Sequence, residues 1–241
     1  GIILGCDLDT LVNNMIILTG ASGGIGRAIL PALAMLDNVM AIYHTKLPDI
    51  SGLGGVTTHQ MDLTDERQVT VFAEAMKNKL SKVTLVHAAA LSRDCLAAKF
   101  STEDWDQVIN VNLRGNFLLT RAMLIPMIEE KWGRIIHLSS VAGLRGVPGT
   151  LAYSTAKTGL LGMSRVLANE YARFGITSNV LVPGYFNTGL IETMSEKVRK
   201  KILESIPSRR LGDPANIVNA IGFLMKSEYV NGSTINIDGG I

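Results

Sequence analysis

A chain of 241 residues with a formal net charge of +2 has room for one large α/β domain or at most two small ones. Hydrophobic residues are 47% and charged residues only 18%, a balance that suits a sheet covered on both faces. The near-neutral charge and the lack of a basic run exclude a nucleic-acid footprint. Two cysteines, Cys6 and Cys95, make neither a disulfide framework nor a metal site. They are expected as free thiols in a reducing, cytoplasmic setting. No uncharged apolar stretch approaches membrane-spanning length, and with Arg27 as the first basic residue neither a secretory signal nor a transit peptide is expected.

Residues 1–14, GIILGCDLDTLVNN, are read as an extension of unassigned role ahead of a single domain over 15–241. The domain opens with MIILTG (15–20), a short apolar run ending in Gly and expected as a buried strand. Helical spacing follows over 26–36, with Pro31 placed to disturb it. Strands are expected at 38–44 and 56–63. An amphipathic helix is expected over 65–80, with Thr64 as its cap. A fourth strand at 83–90 precedes a long helical region from Thr102 to Glu130, interrupted near 110–115. A fifth strand at 133–140 is followed by a long helix over 152–175 that stops at Gly175. A sixth strand at 176–184, broken by Pro183, a helix at 214–225 and a seventh strand at 233–240 complete the pattern. The polar stretch 187–212 reads either as a mobile lid or as ordinary surface helices. Strands alternating with helices imply a doubly wound, Rossmann-type parallel sheet of about seven strands with helices on both faces. Ligands then bind beyond the C-terminal ends of the strands.

The stretch TGASGGIG (19–26) joins the first strand to the first helix. Gly20 can turn sharply, Gly24 lets the backbone approach a pyrophosphate, and Gly26 lets the helix pack closely. The helix N-terminus then offers free N–H groups to phosphate. Its T-G-x-x-x-G-x-G spacing has a longer first gap than the common dinucleotide fingerprint, and its strand-before, helix-after setting favours dinucleotide binding over a merely structural turn. The second strand ends in YHTK (43–46), without the acid that NAD binders place there. His44, Thr45 and Lys46 can pair with a 2′-phosphate, so NADP(H) is favoured over NAD(H). Asp62, at the end of the third strand, can accept from an adenine amino group; its alternative is a loop or capping role.

YSTAK (153–157) places a phenol one helical turn before an ammonium, on one face. With TGASGGIG, with Ser140 thirteen residues before Tyr153, with Asn112 in NVNLRG and with PGYFNT (183–188), the chain resembles the short-chain dehydrogenase/reductase family over roughly 15–240. The resemblance implies Asn112, Ser140, Tyr153 and Lys157 as catalytic residues. It implies a cofactor site built from Gly20, Ser22, Gly24, Ile25, Gly26, His44, Thr45, Asp62, Leu63, Ala89, Tyr153, Lys157, Pro183, Gly184 and Thr188, and no metal. In the reaction it implies, Tyr153 gives a proton to a carbonyl oxygen and Lys157 lowers its pKa. Ser140 donates to the developing charge, and Asn112 holds a water that feeds protons to Lys157. One departure stands out: His87-Ala88-Ala89-Ala90 occupies the place of the family's Asn-Asn-Ala-Gly.

Over 92–117, 162–184 and 229–240 the chain looks most like the 3-oxoacyl-(acyl-carrier-protein) reductase subgroup, which implies reduction of a 3-oxoacyl thioester of acyl carrier protein or CoA. Lys131 and Arg173 are then candidate docking residues for an acidic carrier, although Phe174 stands at the second aligned place. Another ketone, an alcohol, a sugar or a pterin fits the same chemistry. From a different class, a non-catalytic nucleotide-binding subunit is the rival. The family's pairing of the helices at about 103–130 and 152–174 implies a homo-oligomer, tetramer or dimer.

Overall fold

The computed structural model describes residues 14–77, 79–189, 191 and 194–241. Cys6 and the extension up to residue 13 lie outside the described residues.

Seven parallel strands form one sheet in the order β3-β2-β1-β4-β5-β6-β7. They are β1 (Asn14–Thr19), β2 (Asn38–Tyr43), β3 (Val56–Gln60), β4 (Ser81–His87), β5 (Gly133–Leu138), β6 (Ile176–Pro183) and β7 (Thr234–Ile237). The chain winds outward from β1 to β3, then returns to β4 on the other side of β1. That reversal opens a crevice at the C-terminal ends of β1 and β4, where α/β sheets bind ligands. Side chains alternate across the sheet, so each strand feeds two cores. In β4 and β5, Leu85 and Ile135 join the core beneath α2 (Glu66–Met76) and α4 (Gly115–Glu130). Val86 and Ile136 join the opposite core, with α1 (Gly24–Leu33) and the helix Ala215–Lys226.

Several boundaries differ from the sequence expectation for identifiable reasons. Helix α2 is capped by Asp65, not Thr64: the Asp65 carboxylate accepts from the backbone N–H groups of Arg67 and Gln68. Thr64 is instead turned back onto Asp62. Pro31 lies inside α1 without breaking it; it is exposed and falls in the final turn. Pro183 ends β6 rather than breaking it, and pairs in register with Ile237 of β7.

The interruption expected near 110–115 is a π-helical turn, Asn110–Arg114, between α3 (Thr102–Ile109) and α4. A short helix, α5 (Val141–Arg145), which sequence spacing did not reveal, is capped by the Ser140 hydroxyl. The long helix α6 (Leu151–Tyr171) passes into a 3₁₀ turn, Ala172–Phe174, and stops at Gly175, whose φ of 71° is left-handed. No helix joins β2 to β3, as the short connection implies. Among its described residues, 187–212 carries the helix Glu196–Ser205. No helix among the described residues is long and apolar enough to cross a membrane.

Candidate active site

The glycine turn leaves β1 at Gly20, whose φ of 66° is left-handed and whose Cα faces the backbone of Ala89 so closely that a Cβ would lie 2.5 Å from it. The β4 exit therefore lies against the turn. Thr19 clamps this junction: its hydroxyl accepts from the N–H groups of Ala88 and Ala89, at 3.1 Å each. This is how the chain manages without the asparagine side chains missing from His87–Ala90.

A cleft of about 720 Å³ runs from this turn past the ends of β2 and β3 to the π turn. It gathers Gly20, Ser22, Gly24, Ile25, His44, Thr45, Asp62, Leu63 and Ala89, nine of the residues expected for the cofactor. Gly26 lies buried beneath, against the Gly20 carbonyl. His44 Nε2 stands 3.7 Å from the Asp62 carboxylate, so an acid does face the end of β2, supplied from β3. The other Asp62 oxygen accepts from the Thr64 N–H and hydroxyl, which gives this residue its loop role as well as its place in the cleft.

Gly184 follows β6 and binds β7 through the Ile237 carbonyl at 2.9 Å. Thr188 reaches across to donate its hydroxyl to the Gly24 carbonyl at 2.8 Å. Gly189 lies directly on Gly24, where a Cβ would clash. The segment after β6 is thus fastened to the glycine turn.

The catalytic candidates meet just beyond β5. The Ser140 hydroxyl caps α5 and lies near enough to the Tyr153 phenol to lower its pKa. Tyr153 and Lys157 share the inner face of α6, with the ammonium 5.6 Å from the centroid of the phenol ring. Lys157 is fully buried and donates to the Leu138 carbonyl at 2.7 Å. Burial holds its pKa down to about 8. Burial pushes the Tyr153 phenol above its ordinary value; the Ser140 hydroxyl works the other way, and the Asp94 carboxylate adds to the rise. The lowering expected from Lys157 does not appear: burial is the largest influence on the phenol.

Asn112 sits in the π turn with its side chain fully engaged. Its amide donates to the carbonyls of Leu91 and Val108 and its oxygen accepts from the Leu91 N–H. Its backbone carbonyl accepts from Asn116 at 3.1 Å. The side chain is therefore a brace for the loop after β4. Asn116, His137 and Asp94 were not singled out from sequence; only the i+4 spacing of Asn116 from Asn112 pointed to the first.

Lys131 and Arg173 are exposed beyond the N-terminal ends of β5 and β6, on the far side from the glycine turn: Gly175 lies against the Lys131 carbonyl just before these strands begin. Arg173 follows Tyr153 by twenty residues, on the order of 30 Å along a helix. The fold does not bring these two residues to the chain's own Tyr153.

Over residues 20–241 the chain matches the family model described as enoyl-(acyl carrier protein) reductase. The fold, the glycine turn and the Ser140–Tyr153–Lys157 cluster agree with that match: the chain belongs to the short-chain dehydrogenase/reductase family and is an oxidoreductase. It is 35% identical to the 3-oxoacyl-(acyl-carrier-protein) reductase FabG of Aquifex aeolicus, over 93% of this chain and 96% of that protein. It is 36% identical to the FabG of Rickettsia conorii, over 93% and 95% of the two chains. The nodulation protein G of a Rhizobium species is 33% identical over 96% and 98%.

Proposed function

We propose that this chain is an NADPH-dependent reductase of 3-oxoacyl thioesters, carried by CoA or by acyl carrier protein. The observation that carries the reading is the meeting of Ser140, Tyr153 and Lys157 beside a cleft shaped by the glycine turn. The names of the relatives favour the substrate class.

The cleft fits a dinucleotide. Its floor is free of side chains at Gly20 and Gly24, and the first turn of α1 directs N–H groups into it. His44, Thr45 and Asp62 would hold the adenosine end; Tyr153 and Lys157 would hold the nicotinamide ribose. The cofactor supplies the hydride that reaches the carbonyl carbon. Ser140 is placed to donate to the carbonyl oxygen as negative charge grows there, and Tyr153 gives that oxygen its proton. Lys157 supplies a positive charge that favours the resulting phenolate. Thr188, freed from Gly24, would turn its hydroxyl toward the carboxamide.

The chain is further proposed to act as a homo-oligomer. A carrier protein held at Lys131 and Arg173 would then serve the catalytic tyrosine of a second copy, since its own is too far.

The test is loss of reduced-nicotinamide absorbance with acetoacetyl-CoA and with an acetoacetyl carrier protein, using NADPH and NADH in turn. Turnover with NADPH is expected. Cofactor binding without turnover of either thioester would overturn the substrate class.

A further inference from the structure

On the face of the sheet that carries α4 and α6, a group of buried polar side chains lies behind the catalytic lysine. His87 and His137 stand opposite each other in the β4–β5 register. Both follow Leu85 and Ile135 by two residues, so both point to the same core as those side chains. Their rings are stacked, with centroids 5.0 Å apart and planes 6° from parallel. Both are completely buried. His87 Nε2 pairs with the Thr120 hydroxyl at 2.9 Å. Asn116, one turn before Thr120 on α4, is also completely buried and donates to the Asn112 carbonyl.

What these groups lack is informative. His87 Nδ1, both ring nitrogens of His137 and the Asn116 oxygen have no protein partner among the described residues. They are four of the six buried side-chain polar atoms in that condition, gathered on one face. An apolar core does not keep two imidazoles and an amide unless something satisfies them. Elsewhere in proteins that something is ordered internal water, which needs two to four polar partners.

We propose that Asn116, His87 and His137 form an internal water-binding site behind Lys157, and that its water supports the lysine ammonium from within the core. This inference rests on the proposed reductase chemistry for its functional part only. The Lys157 amine has three N–H donors, and one is taken by the carbonyl of Leu138, the residue next to His137. Both rings stay neutral: burial holds His137 down to about 3 and His87 well below its ordinary value, with the Lys157 charge adding to each. A neutral imidazole has one donor and one acceptor, so it can order water in either sense. The titratable groups around the lysine are Tyr153 on its own helix, His87 and His137 on the strands, and Asp94 beside the phenol. The two histidines and Asn116 are thus positioning residues that act through Lys157.

The first experiment is a crystal structure of the cofactor-free protein at a resolution that shows ordered water. Water within about 3 Å of a His137 ring nitrogen and of the Asn116 oxygen is expected. A dry site, or rings rotated onto protein partners, overturns the proposal whatever the substrate proves to be. The second compares His137→Leu, His137→Asn and Asn116→Ala by pH profile. The leucine and alanine variants should lose reduction at lower pH than the parent, because an ammonium with fewer partners gives up its proton sooner. His137→Asn, which can still bind water, should restore the parent profile. Coincident profiles for all three would overturn the functional role. Failure of the parent enzyme to reduce any 3-oxoacyl thioester would instead count against the proposed substrate, and the crystallographic outcome would still decide the water site.

Discussion

The buried Lys157 ammonium lies 5.6 Å from the centroid of the half-buried Tyr153 ring, and neither group keeps its ordinary pKa. Burial raises the phenol above its ordinary value and lowers the ammonium to about 8, so the two values are driven apart and the ammonium gives up its proton first. Removing the phenol hydroxyl should therefore remove the proton donor and leave the scaffold intact. Tyr153→Phe is expected to lower kcat by about 10²–10⁴-fold, with an unchanged melting temperature and retained cofactor binding. Normal turnover by that variant would show that the proton comes from elsewhere.

The lysine gives a pH dependence with a definite sign. Its pKa falls from 10.5 to about 8 on folding, so between those values the unfolded chain binds more protons. Its contribution makes stability rise with pH across that window, and the cost of the buried charge is fully present below pH 8. Lys157→Met should therefore raise the melting temperature at pH 7 while abolishing turnover. The shift corresponds to a gain on the order of 3 kcal/mol. In the parent enzyme, reduction should decline above about pH 8 as the ammonium is lost. Denaturant titrations and rate profiles over pH 6–10 check both limbs.

The proposed preference for NADPH rests on the end of β2. His44 and Lys46 are exposed there, with Asp62 3.7 Å from the imidazole. His44→Ala combined with Lys46→Ala should weaken NADPH by several-fold in KM and leave NADH nearly unchanged. An unaltered ratio of the two cofactors would remove these side chains from the recognition of the 2′-phosphate.

Carrier docking can be separated from chemistry by charge reversal beyond the N-terminal ends of β5 and β6. Lys131→Glu with Arg173→Glu should raise KM for a carrier-protein thioester at least tenfold and spare the CoA thioester. Equal effects on both substrates would argue that these residues support the fold, since Gly175 and the Lys131 carbonyl are in contact.

Much of this architecture was readable before any coordinates. The short apolar runs and the helical repeats identified the strand and helix alternation, because the central strands are buried on both faces and each helix turns one side to a core. That Tyr153 and Lys157 share one face was legible from their spacing, which is one turn of helix. His137 was not, since a histidine within an apolar strand looks the same whether it packs or hydrogen-bonds. Thr19 was equally silent: its clamp on Ala88 and Ala89 spans some seventy residues and exists only once β1 and β4 pair. The cap of α2 went to Asp65 because a carboxylate and a hydroxyl at neighbouring positions compete for the same N–H groups, and the chain path decides between them.

The π turn at Asn110–Arg114 gives the α3–α4 rod something like a reading frame. One residue more than a regular turn is lodged there, so α4 is rotated by about 100° from the phase that α3 alone would dictate. Deleting a single residue from the turn would heal the rod into continuous α-helix and keep Leu118, Leu119 and Met123 on the sheet, whereas the same deletion within α3 would swing them off it, although no side chain in α4 had changed. Length changes of three or four residues come close to a full turn and would largely keep the phase. Variation in length at this place should therefore come as the one residue that the π turn absorbs, or in whole turns of helix.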